Sequence, residues 1–183
     1  MVVNIAMCLS LEKIDSDVLE ELCQLYLEAF PEEERPLEKW LKLIDEEPMF
    51  RILTVMKNGN FVGFMTYWTF PDFTYVEHFA IKPSYRGGGL GGVALKLFLE
   101  LQDQPVVLEV ELPTTLIAQK RICFYEKYHF VRLPEPYQQP PYRSGDSWLP
   151  MAIMYYSKGR SIPEIEKIKK LLYEYVYKVK NNA

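Results

Sequence analysis

The sequence predicts a fold of the α/β (α+β) class, with a mixed and mostly antiparallel central sheet and helices on both faces. Stretches with apolar residues at helical spacing alternate with short stretches rich in β-branched and aromatic residues. Two of the latter meet at Asn58-Gly59-Asn60, a typical hairpin turn, so these strands are antiparallel. Further along, helices separate consecutive strands as crossover connections do, which favours a mixed sheet covered on both faces.

Composition limits the classes of function. The chain has 183 residues, enough for one domain with a buried core. A net charge of −4 without a basic face argues against a nucleic-acid partner. The three cysteines are widely spaced, and no apolar run approaches the length of a membrane span. We therefore expect a cytoplasmic protein without a membrane partner. The two histidines have no close cysteine or histidine neighbours, so we expect no metal site.

The first half of the chain predicts two helices between strands. Capping residues Asp15-Ser16-Asp17 open the first helix. Phe30-Pro31 ends it, because the residue before a proline avoids helical dihedrals. In chain order the predicted elements are a strand at 4–11, a helix at 15–30, a charged connector at 32–36, a helix around Trp40, and strands at 51–57, 61–70 and 73–81.

The second half predicts crossover helices and a closing hairpin. Its proline-rich connector, residues 134–146, is long for a spacer and is more typical of a binding loop. Ser161 with Glu164 forms a predicted capping box for the last helix, whose apolar stripe makes it amphipathic. The predicted elements are a helix at 93–102, a strand at 106–112, a helix from 113 to about 128, strands at 130–133 and 148–156, and a helix at 161–178.

A glycine-rich loop, Tyr85-Arg86-Gly87-Gly88-Gly89-Leu90-Gly91-Gly92, joins the strand at 73–81 to the next helix. Ordering so many glycines is entropically costly, which points to dihedrals or a backbone approach that a Cβ would block. At a helix start, unpaired amides and the helix dipole favour an anion. Arg86 adds a cation that can bind phosphate oxygens in a bidentate manner. The loop therefore predicts a phosphate site, with a plain strand-to-helix turn as the alternative.

The glycine spacing also matches other nucleotide motifs in part. Gly87-x-Gly89-x-x-Gly92 fits the dinucleotide fingerprint, and Glu109 lies about twenty residues beyond it. In that motif, however, the first glycine closely follows the strand, whereas residues 82–86 intervene here and a hairpin precedes. A P-loop requires a terminal Gly-Lys-Ser or Gly-Lys-Thr, which is absent.

Two motifs of the chain resemble those of the Gcn5-related N-acetyltransferase (GNAT) family. One is Arg86-x-x-Gly89-x-Gly91, which is similar to the family's acetyl-CoA pyrophosphate loop after the fourth strand. The other is Phe124-Tyr125-Glu126-Lys127-Tyr128-His129-Phe130, which is similar to the end of the family's fourth main helix. Their order and spacing fit, as does the order of elements over residues 4–156. His129 departs from the family's usual glycine, and Ala118 from a frequent asparagine.

The resemblance implies that residues 1–157 form an N-acetyltransferase domain with acetyl-CoA as cosubstrate. The helix within 158–183 would then either pack on this domain or lie at a homodimer interface. The implied reaction transfers acetyl to a primary amine, of a small molecule or a peptide, by direct attack in a ternary complex. The strand would bond the pantetheine arm and the loop would bind the pyrophosphate, which implies as cofactor-binding residues Phe79, Ala80, Ile81, Arg86, Gly87, Gly88, Gly89, Leu90, Gly91 and Gly92.

Tyr125 matches the family's tyrosine that protonates the departing thiolate. A phenol is a proton donor at neutral pH, so its chemistry suits this role. Since Phe124, Tyr128 and Phe130 lie beside it, a core tyrosine is the alternative. Cys123 lies on another side of the same helix and is expected to pack rather than react.

Glu77 is the predicted general base. Strand alternation places it on one face with Tyr75, Phe79 and Ile81, and a half-buried carboxylate can have a raised pKa. A plain strand carboxylate, with ordered water as the base, is equally open. His78 points to the other face and is expected to be structural.

The acceptor is expected across the thioester, between the connector at 32–36, the strand Tyr67-Trp68-Thr69-Phe70 and the loop with Tyr137, Tyr142 and Arg143. Acidic and aromatic side chains would suit a cationic or amphipathic amine. Arg35 and Arg143 would equally suit an acceptor that carries a carboxylate. A non-catalytic acyl-CoA-binding or regulatory module on the same fold is the alternative function.

Overall fold

A mixed eight-stranded sheet forms the centre of the computed structural model, which describes residues 7–10, 16–32, 37–143 and 145–179. The predicted fold class is confirmed. In chain order the elements are β1 (Met7–Ser10), α1 (Ser16–Ala29), α2 (Leu37–Glu46), β2 (Phe50–Lys57), β3 (Asn60–Thr69), β4 (Thr74–Ile81), α3 (Leu90–Leu101), β5 (Val106–Glu111), α4 (Leu116–Glu126), β6 (Val131–Arg132), β7 (Tyr137–Gln139), β8 (Leu149–Tyr156) and α5 (Ile165–Leu171).

The strands are ordered β1-β2-β3-β4-β5-β8, and β6 and β7 lie one after the other along the outer edge of β8. Among the described strands, only β4 and β5 pair in parallel. The β2–β3 hairpin turns at Asn58 and Gly59, whose φ angles are 51° and 79°. Two consecutive positive φ angles give the turn type that matches the twist of paired strands, as the sequence predicts here.

Each face of the sheet buries its own hydrophobic cluster. Helices α1, α2 and α5 cover one face, where Trp40 and Leu172 pack with Trp68 and Tyr75. Helices α3 and α4 cover the other face, which includes Phe98. Helices therefore lie on both faces, and the C-terminal helix packs into the same cluster as α1 and α2.

A β-bulge in β4 changes which face its side chains take. Thr66 pairs with His78, whereas Tyr67 pairs with Val76, so Glu77 is an extra residue without a partner in β3. Tyr75 before the bulge and Ala80 after it both belong to the cluster under α1 and α2. The strict alternation on which the Glu77 prediction depended is therefore interrupted at Glu77 itself.

The structure differs from the predicted elements in two further places. Residues Tyr137–Gln139, within the predicted structureless connector, form β7 and pair with β8. The last helix begins only at Ile165, after Pro163, with Glu164 at its N-cap and no side-chain cap bond. The predicted capping box of Ser161 and Glu164 is therefore wrong. Beyond α5 the chain continues as a π-helical segment, Leu172–Val176.

Candidate active site

The parallel strands β4 and β5 diverge and open a cleft in the sheet. Their pairing ends at Val76 and Leu108. Beyond this point β4 stays paired with β3 as far as Ile81, and β5 stays paired with β8 as far as Glu111. The cleft contains a cavity of about 320 Å³. Among the predicted site residues, it is lined by Glu77, Phe79, Ala80, Ile81, Arg86 and Tyr125.

The glycine loop lies beside this cleft and leads directly into α3. Gly87 and Gly89 have φ angles of 85° and 78°, in the left-handed region that favours glycine. Gly89 is the N-cap of α3 and provides no side-chain cap, so the first amides of the helix are left for a ligand. A Cβ at Gly87, Gly88 or Gly89 would meet nothing within 4 Å, which shows that the outer side of the loop is open. The loop therefore fits a pyrophosphate group.

Arg86 lies between the loop and the cleft. Its Nε donates to the carbonyl of Ile81 at 2.8 Å, which holds the guanidinium beside the end of β4. Arg86 also lines a second cavity of about 320 Å³ on the outer side of the loop, together with Lys57, Tyr85 and Gly88. Two cations therefore border the proposed phosphate site, and Lys57 is one that the sequence did not indicate.

Tyr125 lies on α4 with its side chain toward the cleft. Its ring contacts Phe124 and Phe130, with ring centroids 5.1 and 5.4 Å away. Burial raises the pKa of the Tyr125 phenol to about 12, although the nearby charge of Arg121 acts in the opposite direction. The phenol is therefore protonated at neutral pH and can donate a proton into the cavity.

Glu77 lines the cleft but does not share a face with Phe79 and Ile81. Its two carboxylate oxygens accept from Trp68 Nε1 at 2.7 Å and from the Tyr142 hydroxyl at 2.9 Å. Both donors belong to the packing on the α1 and α2 side of the sheet, whereas Phe79 packs on the other side. The predicted shared face is correct for Tyr75, which packs in the same cluster as Trp68, and wrong for Phe79 and Ile81, because the bulge inserts Glu77 into β4.

Glu109 on β5 is a second carboxylate of the cavity and lies on the wall opposite β4. Its Oε2 accepts from the Tyr75 hydroxyl at 2.8 Å, the Gln139 amide at 2.7 Å and the Tyr177 hydroxyl at 2.5 Å. The Tyr137 hydroxyl donates to Oε1. Burial raises the pKa of Glu109 above its usual value, while these hydrogen bonds oppose the rise.

The sequence interpretation missed this role of Glu109 and considered it only as the acid of a dinucleotide fingerprint. Its partners come from β4, β7 and the C-terminal segment, so no local motif connects them. One signal was available: Glu109 interrupts the otherwise apolar run at 106–110 of a central strand. A carboxylate in that position needs buried donors.

The expected acceptor region is formed in part. Phe30, Pro31 and Tyr142 line the cavity, and so does His78, whose Nδ1 lies 2.9 Å from the Thr66 hydroxyl. Arg143 forms an ion pair with Glu32 at 3.6 Å, with both side chains largely exposed. Arg35 and the rest of the connector, residues 33–36, lie outside the described residues.

The sequence predicts neither a metal site nor a membrane-spanning segment. Within residues 7–10, 16–32, 37–143 and 145–179, no group of three or more His, Cys, Asp or Glu side chains is placed to hold a metal ion. None of the helices in the described part of the chain combines the length and the apolar character that crossing a membrane requires.

Comparison with known proteins agrees with this geometry. The model of the acetyltransferase (GNAT) family matches residues 17–130, which is most of the chain and includes both motifs. The chain belongs to the GNAT family. A solved structure of a GNAT-family protein from Bacteroides thetaiotaomicron is 36% identical with a TM-score of 0.85, and the match covers 92% of this chain and 98% of that chain.

A more distant solved structure shares the fold, and a curated relative is similar over part of the sequence. Arabidopsis thaliana NAA60, solved in complex with acetyl-CoA, is 14% identical with a TM-score of 0.63 over 83% of this chain and 98% of that chain. A Bacillus subtilis (strain 168) protein with the provisional name ribosomal protein bS18-alanine N-acetyltransferase is 26% identical over 83 residues. That match covers 45% of this chain and 55% of the relative, so the chain spans about half the length of this curated relative.

Proposed function

We propose that this GNAT protein transfers an acetyl group from acetyl-CoA to a primary amine by direct attack in a ternary complex. The observation that carries the proposal is the shared cavity: Arg86 beside the phosphate loop, the diverging edge of β4 and the Tyr125 phenol all line it. Bound acetyl-CoA would supply the acetyl thioester that the amine cleaves.

The chain offers backbone groups to hold this cosubstrate. The amides at the start of α3 and the open glycines before it would bind the pyrophosphate, and Arg86 would add a fixed charge. The β4 edge beyond Val76 no longer pairs with β5, so the backbone of Phe79, Ala80 and Ile81 is available to an extended ligand. Of the predicted cofactor-binding residues, Arg86 and Gly87 to Gly89 are exposed, whereas Leu90 is buried in the core and Gly92 packs against Tyr128, so these two would support the loop from below.

Tyr125 would act as the general acid and Glu77 as the general base of the reaction. The buried Tyr125 phenol is a suitable general acid for a departing thiolate because it keeps its proton at neutral pH. Each Glu77 oxygen receives one described donor, which leaves a lone pair on each to accept a proton from the attacking amine. An ordered water held by Glu77 is the alternative base.

The charges of the cavity favour a cationic acceptor over one that carries a carboxylate. Arg121 is paired with Glu111 at 2.7 Å, and Arg86 lies at the phosphate side. Glu77 and Glu109, in contrast, accept only from neutral donors among the described residues. The provisional name of the Bacillus subtilis relative also supports a peptide or protein amine as one class to test.

The experiment is a thiol-release assay with acetyl-CoA and a panel of 1,4-diaminobutane, spermidine and a peptide with an N-terminal alanine. We expect release with at least one amine, at a rate that depends on amine concentration. Tight acetyl-CoA binding without release across a broad panel would instead support the alternative, a non-catalytic acyl-CoA-binding module.

A further inference from the structure

The C-terminal segment reaches the wall of the cavity through Tyr177. This segment lies outside the part of the chain that the family model matches, residues 17–130. Tyr177 is only 4% exposed, and its hydroxyl donates to Glu109 Oε2 at 2.5 Å. The same hydroxyl accepts from the Gln139 amide at 2.8 Å. Tyr177 therefore connects the C-terminal segment to both β5 and β7.

The π-helical segment explains how Tyr177 reaches this position. Tyr177 N donates to Leu172 O at 3.0 Å, five residues back, where an α-helix would bond four residues back. The wider turn brings residues four and five apart onto one face, so Leu172, Val176 and Tyr177 are all buried. Such π-turns occur frequently at functional sites.

Glu109 is a half-buried carboxylate, and its hydrogen-bond donors among the described residues are all neutral. Its partners are Tyr75 on β4, Tyr137 and Gln139 on β7, and Tyr177. Among the described residues, no lysine or arginine forms an ion pair with it. The other titratable groups that line the same cavity are Glu77, Glu111, Arg86, Arg121, His78, Tyr125 and Tyr142.

Four hydrogen bonds stabilise the charged form of Glu109 but leave its negative charge at the cavity wall without a counter-cation, so a cation that enters the cavity would be attracted to it. An amine acceptor arrives mostly as its ammonium form at neutral pH and would be such a cation. We propose that Tyr177 is a positioning residue of the acceptor site, whose hydroxyl holds the Glu109 carboxylate at the cavity wall as the anion that binds the acceptor's ammonium group. This inference rests on the proposed function for the identity of the ligand.

The test compares two single-hydroxyl deletions on the same segment of the full-length protein. Tyr177→Phe removes the donor to Glu109. Tyr173→Phe is the matched control, because its hydroxyl donates to the Gln138 carbonyl at 2.6 Å and to no part of Glu109. The Glu109 carboxyl is followed by NMR in protein with ¹³C-labelled glutamate side chains, and the Glu109→Gln variant assigns its signal.

We expect Tyr177→Phe to raise the titration midpoint of Glu109 by about one pH unit, because one hydrogen bond to the charged form is lost. Tyr173→Phe should leave the midpoint unchanged. In assays with 1,4-diaminobutane and the alanine peptide, Tyr177→Phe should raise the KM about tenfold for an amine that is acetylated. The affinity for acetyl-CoA should stay unchanged.

A merely structural Tyr177 would lower the melting temperature, as Tyr173→Phe can, without moving the Glu109 titration. An unchanged midpoint in Tyr177→Phe, or an equal shift in Tyr173→Phe, would overturn the inference. An amine KM that stays the same in an active Tyr177→Phe protein would overturn it as well. If the unmodified protein acetylates no amine of the panel, the proposed function fails, and the titration still decides whether Tyr177 controls Glu109.

Discussion

The two walls of the cleft differ in the groups that they present, since one offers mainly backbone groups and the other mainly side chains. The wall that would hold acetyl-CoA consists of β4, the glycine loop and the start of α3, which are contiguous in sequence and offer mainly backbone groups. The wall proposed to face the acceptor consists of side chains from β4, β5, β7, the following loop and the C-terminal segment, joined by hydrogen bonds. Ligand binding at a backbone site of this kind should be weakened by substitutions that change the backbone dihedral angles. The function of a side-chain network should instead be changed by the removal of a single hydrogen-bonding atom.

The largest effect should come from Tyr125→Phe, which deletes one oxygen beside the side-chain network. We expect turnover to fall about 10³-fold, since general acid catalysis typically contributes 10² to 10⁴. Acetyl-CoA affinity, measured by titration calorimetry, should stay the same. Tyr156→Phe is the control, because its ring packs on Phe130 in the same cluster but does not line the cavity. Unchanged turnover in Tyr125→Phe would remove this residue from the mechanism.

Glu77→Gln should give the next largest effect. It tests whether Glu77, the residue inserted by the bulge, is the general base. We expect kcat/KM for the amine to fall about 10²-fold, because the amide cannot accept the proton. Trp68→Phe removes one donor to Glu77 and retains the carboxylate, so its effect should be smaller. If Glu77→Gln and Trp68→Phe are equally mild, ordered water is the better candidate for the base.

Gly89→Val tests the backbone wall. The φ angle of 78° at Gly89 is strained for any β-branched residue. We expect acetyl-CoA to bind at least about tenfold more weakly, since strain of 1 to 3 kcal/mol opposes the bound loop conformation. Gly159→Val is the control, because its φ angle of 73° is as strained for valine as that of Gly89 and it lies outside the phosphate loop. Equal binding by Gly89→Val and the parent would contradict the phosphate-loop assignment.

The smallest expected effect is on the alkaline side of the pH–rate profile. Tyr125 donates only while protonated, and burial raises its pKa to about 12. Activity should therefore not be lost through Tyr125 as the pH rises from 7 to 10, in a stopped-flow thiol-release assay. A loss of activity below pH 10 that is absent from the Tyr125→Phe variant would contradict this expectation, because it would mean that the phenol loses its proton in that pH range.

The two walls also differ in how far the sequence could predict them. The glycine loop and the motif around Tyr125 are local patterns, and each has a direct physical meaning at a helix end. Strand alternation wrongly grouped Glu77 with Phe79 and Ile81, because the bulge depends on pairing between β3 and β4 and leaves no local signal. The Glu109 network was missed for a related reason: Tyr177 is 68 residues away from Glu109 in the chain.

The C-terminal part shows the same limit. Apolar spacing predicted a helix at 161–178, and the structure has α5 followed by a π-helical segment in this region. The periodicity could not reveal the π-turn, because the wider turn follows from packing against the sheet and from the Tyr177 hydrogen bonds. Whether this segment also joins two subunits stays a prediction.

The position of Tyr177 near the end of the described chain has a consequence for biosynthesis. Translation produces the phosphate loop and Tyr125 well before the C-terminal segment, and domains fold as their residues become available. Under the proposed function, all residues of the acetyl-CoA site are therefore synthesised before Tyr177, whereas the wall proposed for the amine also needs the Tyr177 hydroxyl. A product truncated before Tyr177 would lack both the hydroxyl that holds Glu109 and part of the core beneath the sheet, so neither the proposed amine site nor the packing of that face would be complete.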